Sequence, residues 1–233
     1  MRWADLDMLK HVNNVVYLDY AAESRALLVE DGAVGPDTSI AEVSVRFVRP
    51  LLLTRELVTV ASEVSGDVLT QQVRLERPGK TLVFAEITTT YGPRAEAHVQ
   101  HPRLVPAPVT IRRSDLGTGG AVSPTKLFEL FQESRILYLG SAVTTLRPGR
   151  FVVGTAAVSV HGDVRWQREP YDARAWVSHV GRGSFVLRAE IGIDDTVLAR
   201  AATTLVGFDP EAQRSDPFTE PQRAELSALM QDE

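Results

Sequence analysis

"RWADLDMLKHVNNVVYLDYAAESR", residues 2–25, sets two aspartates, a lysine, a histidine and two adjacent asparagines just ahead of a periodic apolar run. A second stretch, "RRSDLGTGGAVSPTKLFELFQESR" (112–135), aligns with it without gaps at a constant offset of 110. Arg2/Arg112, Asp5/Asp115, Leu6/Leu116, Val12/Val122 and the closing Glu23-Ser24-Arg25/Glu133-Ser134-Arg135 are identical. Self-similarity at a fixed offset marks a repeated structural unit. Two further landmarks recur in the same order. "VRFVRP" (45–50) answers "VRWQREP" (164–170), and "TTTYG" (88–92) answers "TTLVG" (203–207). The chain reads as a tandem duplication.

Each half begins with a loop and a helix of about four turns. Val16, Tyr17, Tyr20, Ala21, Ser24, Leu27 and Leu28 share one face in the first half, with "EDG" as the stop. Leu127, Leu130, Phe131, Ser134, Leu137 and Tyr138 do so in the second, ending near Gly140. Ser123 followed by Pro124 is a strong helix start, and Asn13 holds the matching cap position. Alternating β-branched runs follow, near 42–49, 56–64, 68–76 and 81–91, then 155–166, 174–181, 184–192 and 196–207. "RPGK" and the "DD" at 194–195 supply hairpin turns. This pattern predicts an α+β fold in which each helix covers one face of a mostly antiparallel sheet.

The proline-rich connector 92–108 separates a first repeat, 1–105, from a second, 106–233. "PVTIRR" (108–113) reads as a first strand that the other half has only as "MRW", so that strand is abbreviated or the natural start lies upstream. The tail after about 211 suggests a short helix that need not join either core.

Composition narrows the function. The 233 residues carry a net charge of −5, which favours neither nucleic acid nor an anionic membrane as main partner. No apolar run is long enough to span a bilayer, and no secretory signal opens the chain, so a cytoplasmic protein is expected. The absence of cysteine excludes disulfides, thiolate nucleophiles and cysteine zinc sites. G-x-S-x-G, Walker-type and H-E-x-x-H motifs are missing. His98 and His101 have a spacing that would suit a metal on a helix, but flanking prolines make this a connector, and no metal is expected.

Taken together, D-x-D, H-V-N-N and the aromatic helix positions resemble the signature of hot-dog-fold acyl thioesterases, which include 4-hydroxybenzoyl-CoA and acyl-carrier-protein thioesterases. The resemblance implies a long helix wrapped by a curved antiparallel sheet in each repeat, a double hot dog, with sites where two units meet. It implies an acyl-CoA thioesterase that needs no cofactor, with acyl-CoA or an acyl carrier protein as partner. Strand edges would let the double unit form a homo-oligomer.

By the same resemblance Asp7 acts on the thioester as nucleophile or base, His11, Asn13 and Asn14 complete the motif, and a main-chain N–H near Asn14 receives the carbonyl oxygen. Lys10 stands where the family commonly has glycine, which implies a stiffer or differently shaped loop. Leu9 stands where carrier-protein enzymes have asparagine, and their downstream acidic residue has no counterpart, which favours the CoA reading.

The two copies separate frame from chemistry. Asp5 and Asp115 occur in both and suit loop bonding. Gly117, Ala121, Ser123 and Pro124 replace Asp7, His11, Asn13 and Asn14 in the second copy. Its "GTGG" lacks the Lys-Ser/Thr of a phosphate loop and reads as a degenerate site whose glycines leave room for an acyl chain or pantetheine. Glu23 and Arg25 read as surface or inter-unit contacts, with Glu23 a lesser catalytic candidate. His11 either bonds the Asp7 carboxylate or packs at the loop base. A non-catalytic acyl-CoA binder and a hot-dog dehydratase or hydratase are the alternative functions.

Overall fold

The computed structural model describes residues 1–7, 10–35, 39–98, 108–147 and 149–231. His101, Leu9 and the 105/106 division lie outside them. The chain divides into two compact units, Met1–Pro93 and Arg94–Glu233.

Unit 1 holds α1 (Asn14–Glu30) and the strands β1 (Ile40–Phe47), β2 (Val58–Ser65), β3 (Val68–Arg77) and β4 (Lys80–Tyr91). The strands run antiparallel in the order β2-β3-β4-β1. Pro78-Gly79 turns β3 into β4, with Gly79 at φ 71°, where a side chain is disfavoured. α1 lies on the sheet through Val15, Tyr17, Leu18 and Ala21. Gln71, buried in β3, donates to the Ala21 carbonyl at 3.0 Å and fixes the helix on the strands. The apolar face is rotated from the periodicity reading, since Leu27 is exposed.

Unit 2 repeats the plan with α2 (Pro124–Ala142), β5 (Phe151–Val160), β6 (Asp172–Val180), β7 (Ser184–Ile193), β8 (Thr196–Asp209) and the short β9 (Arg214–Ser215), ending in α3 (Glu220–Ala228). The order is β6-β7-β8-β5, again antiparallel, with β9 on β8. Leu127, Phe128, Leu130, Phe131, Ser134 and Leu139 face inward, while Leu137 is exposed. Each unit is thus the helix-and-antiparallel-sheet assembly expected.

Several expectations need correction. The strand expected over 155–166 spans 151–160, because the N–H groups of His161 and Gly162 both turn to the Leu198 carbonyl. "PVTIRR" makes a single bridge, Val109 to Tyr171, before Arg113 enters a 3-10 turn. The tail is part of the unit 2 core. Leu226 is fully buried with Phe218, Phe185 and Leu205, and the Gln231 N–H reaches the Val177 carbonyl at 3.0 Å.

The second and third sequence landmarks also fail to coincide in space. Val12 N–H bonds the Leu51 carbonyl and Val122 N–H the Val164 carbonyl, so Leu51, and not Val45, answers Val164. Tyr91 N–H bonds the Asp67 carbonyl and Gly207 N–H the Gly183 carbonyl, so Tyr91 corresponds to Gly207, one place from its sequence match. The buried positions agree, with Ile87 and Tyr91 inward in β4 and Thr203 and Gly207 in β8. A one-residue slip would turn every side chain to the opposite face.

Candidate active site

The loop before α1 is built by a closed set of main-chain bonds. Residues Trp3–Asp5 form a 3-10 turn, Leu6 pairs with Val12, and His11 pairs with Leu52. The Asp7 N–H donates to the His11 carbonyl at 2.7 Å, Lys10 N–H to the Asp7 carbonyl at 3.0 Å, and Val12 N–H to the Leu51 carbonyl at 2.8 Å. Unit 2 repeats each bond. Gly117 N–H donates to Ala121 at 2.8 Å, Gly120 to Gly117 at 3.0 Å and Val122 to Val164 at 2.8 Å. The frame is one; the side chains it carries differ.

Asp5 and Asp115 do the frame work expected of them. Asp5 Oδ2 accepts from the Arg2 N–H at 2.5 Å, and Asp115 Oδ2 from the Arg112 N–H at 2.7 Å. Asp7 is exposed, and its Oδ1 accepts from the His11 main-chain N–H at 3.0 Å. The bond between Asp7 and His11 therefore runs through main chain, not imidazole. It closes a second ring within the loop and fixes the carboxylate against rotation.

Asn13 caps α1 by accepting from the Val15 N–H at 3.2 Å, and Ser123 caps α2 from the Lys126 N–H at 3.3 Å. The Asn13 carbonyl takes the Val16 N–H. No described residue accepts from the Asn14 N–H, the first of α1. It lies at the positive end of the helix dipole, suited to an oxygen on which charge develops.

Tyr17, read in the sequence only as part of an apolar face, positions the neighbouring segment. Its hydroxyl accepts from the Leu51 N–H at 3.0 Å, and its ring meets Phe47 edge-on at 5.5 Å. Burial, partly offset by that bond, pushes its phenol up to about 12, with the Asp7 charge adding in the same direction. In unit 2 the same service comes from elsewhere, Tyr171 bonding both the N–H and the carbonyl of Arg165. A sequence signal existed in the tyrosine itself, because a buried phenol usually finds a partner.

Lys10 adopts φ 61°, the conformation Gly120 takes at 72°. The loop keeps the shape of its glycine-bearing twin, and the lysine bears the strain. At Gly119 an added Cβ would meet nothing, and at Gly117 only the Ala121 carbonyl at 3.5 Å, so unit 2 has open space where unit 1 has its carboxylate. Glu23 is exposed on α1. Arg25 and its twin Arg135 are half-buried, and burial lowers both guanidinium pKa values, that of Arg135 to about 10. His98 pairs with Thr196, and no cluster of three metal-ligating side chains occurs among the described residues. No helix among them is long and apolar enough to cross a membrane.

Residues 1–88 match the family profile of the acyl-ACP thioesterase C-terminal domain. No curated protein sequence matches the chain. Among solved structures, one assigned as an oleoyl thioesterase, from Lactobacillus plantarum, superposes with a TM-score of 0.66 at 10% identity, covering 90% of this chain and 94% of that one. The 12:0-ACP thioesterase of Umbellularia californica gives 0.59 at 8% identity, over 93% and 95%. An acyl-ACP thioesterase of Bacteroides thetaiotaomicron gives 0.57 at 9% identity, over 87% and 93%. At such identities the likeness speaks for fold, and it runs through both units: the chain has the tandem double hot-dog fold.

Proposed function

We propose that the protein hydrolyses an acyl thioester, with acyl-CoA as substrate, at the loop before α1. One observation carries the reading. Two loops share a main-chain frame and a turn-closing aspartate, yet only the first adds a second carboxylate, Asp7, with a histidine and an asparagine-capped helix start. In this reading the repeat 1–105 is the working copy and 106–233 its degenerate partner.

Asp7 attacks the thioester carbonyl, expelling the thiolate to leave an acyl anhydride that water opens, or it takes a proton from water that attacks directly. The Asn14 N–H donates to the oxygen as it becomes negative. One such donor is worth about 3 kcal/mol of barrier. Asn13 holds the helix start in place, and His11 supplies the main-chain donor that orients Asp7. Thioesters are reactive enough to need no cofactor here.

The test is thiol release from short, long and aromatic acyl-CoA thioesters by wild type and Asp7→Asn. Turnover should fall at least about a hundredfold while the circular dichroism stays unchanged. Undiminished turnover in the variant refutes the assignment. Acyl-CoA bound without turnover by both proteins would mark a non-hydrolytic binder instead. The profile match over residues 1–88 favours a second reading, a carrier-protein thioester. A higher kcat/KM on acyl carrier protein than on the matching acyl-CoA would select it.

A further inference from the structure

The segments framing the candidate site expose several large apolar side chains. Trp3 is 82% exposed, Leu57 79%, and Leu52 and Leu53 55% each. They come from two short stretches that the loop frame ties together, through the His11–Leu52 pairing and the Val12–Leu51 bond. The Thr54 hydroxyl accepts from the Glu56 N–H at 3.1 Å, folding 53–57 into a turn. Isolated exposed leucines are ordinary, but three of them on a six-residue segment paired to a loop that also exposes a tryptophan are not.

The same stretches hold Arg2, Lys10, Arg49 and Arg55, all exposed and none in an ion pair among the described residues. Three acidic groups share these stretches. Asp5 is held by Arg2 N–H and Tyr20, Glu56 by Arg77, and Asp7 by His11 N–H. Asp5 and Asp7 keep their charges and Glu56 is offset by Arg77, so the four cations leave a small positive excess on a chain whose net charge is −5.

Unit 2 fills the same frame positions differently. By the shared bonds Trp3 corresponds to Arg113, Leu52 to Arg165 and Leu53 to Trp166. There the Arg113 guanidinium stacks on the Trp166 ring at 3.9 Å, and Arg165 pairs with Asp163. One copy stacks a cation on its aromatic, which is 39% exposed against 82% for Trp3. The other places apolar side chains at both positions and leaves them in water.

We propose that this face of unit 1 docks on an anionic lipid surface. Projecting tryptophan and leucine side chains enter the boundary between headgroups and acyl chains, and flanking lysines and arginines meet anionic headgroups. Side chains that stand this far out need no shaped counter-surface in a fluid bilayer, whereas a protein partner must supply one. The rest of the acidic chain is repelled, so binding is oriented and weakens with salt. The proposal is independent of the hydrolysis reading.

The experiment is sedimentation of the full chain with vesicles of phosphatidylcholine alone or mixed with phosphatidylglycerol. Binding to the anionic vesicles should appear at low salt and drop at least about tenfold in the triple variant Trp3→Ser, Leu53→Ser, Leu57→Ser, whose circular dichroism stays native. In a Trp166→Phe background the indole emission should shift to the blue on binding. No sedimentation with anionic vesicles overturns the proposal, as does equal binding by the triple variant. Retention on an acidic carrier protein without vesicle binding also overturns it and points to a protein partner.

Discussion

Tyr20 donates its hydroxyl hydrogen to Asp5 Oδ2 across 2.8 Å, tying the first helix to the loop that precedes it. Leu130 stands at the matching position of α2, so Asp115 closes its turn without a tether. The tether belongs to the unit that carries Asp7. Tyr20→Phe should cost about 1 kcal/mol in urea denaturation, the usual net worth of such a bond. Leu130→Phe, a control at the twin position, should change only packing. Burial, and next the Asp5 bond, raise the Tyr20 pKa; burial takes Tyr17 up to about 12. Folded phenols that hold their protons contribute stability in full below about 10, and that contribution is lost as pH rises above it. Alkaline titration of the melting temperature should show this loss, reduced in the Tyr20→Phe variant.

Lys10 occupies a left-handed conformation that its twin Gly120 reaches without strain. A non-glycine residue there costs about 1–2 kcal/mol, of which the extra chain entropy of glycine returns about half. Lys10→Gly should therefore stabilise the protein by about 0.5 kcal/mol, and Lys10→Val should destabilise it. Both are read by urea midpoint. A destabilised glycine variant would mean that the lysine side chain repays its strain through a contact.

What could be read from the sequence followed the range of the interactions involved. The loop and helix were legible because they rest on neighbours. Asn13 and Ser123 cap within three residues, and Asp5 reaches back three to Arg2. The sheet was less so. "TTTYG" and "TTLVG" share letters, but register is set by the distant partners Asp67 and Gly183, and it places the twins one residue out. Tyr17 signalled that its phenol would need a partner but not which one, because holding Leu51 joins residues 34 apart in sequence. The tail looked detachable since Leu226 and Phe218 are too few to show a pattern, and their burial comes from β6, β7 and β8. For the candidate site, comparing two copies did what periodicity could not. It separated Asp5, which both loops need, from Asp7.

The attachment of α3 has its own acid sensitivity. The Glu225 carboxylate accepts from the Thr144 hydroxyl and N–H at 2.6 and 2.7 Å, from the Thr145 N–H at 2.9 Å, and from the Thr145 hydroxyl. Thr144 and then Thr145 hold its pKa down at about 2, against 4.5 when free. A depressed carboxylate contributes stability in full above about 4.5 and loses it as pH falls toward 2. Acid should thus loosen α3 from the end of α2 before the strands open. Glu225→Gln should remove about 1 kcal/mol at neutral pH, a figure reduced for solvent screening, and should flatten the loss between about pH 4.5 and 2. Leu226→Ala should cost about 3 kcal/mol at any pH, since it empties a packed site. Limited proteolysis of the tail at about pH 6 and about pH 3 separates the two effects. Cleavage in wild type should rise with acid, whereas cleavage in the Glu225→Gln variant should start high and change little. An equal rise in both would show that another carboxylate governs the latch.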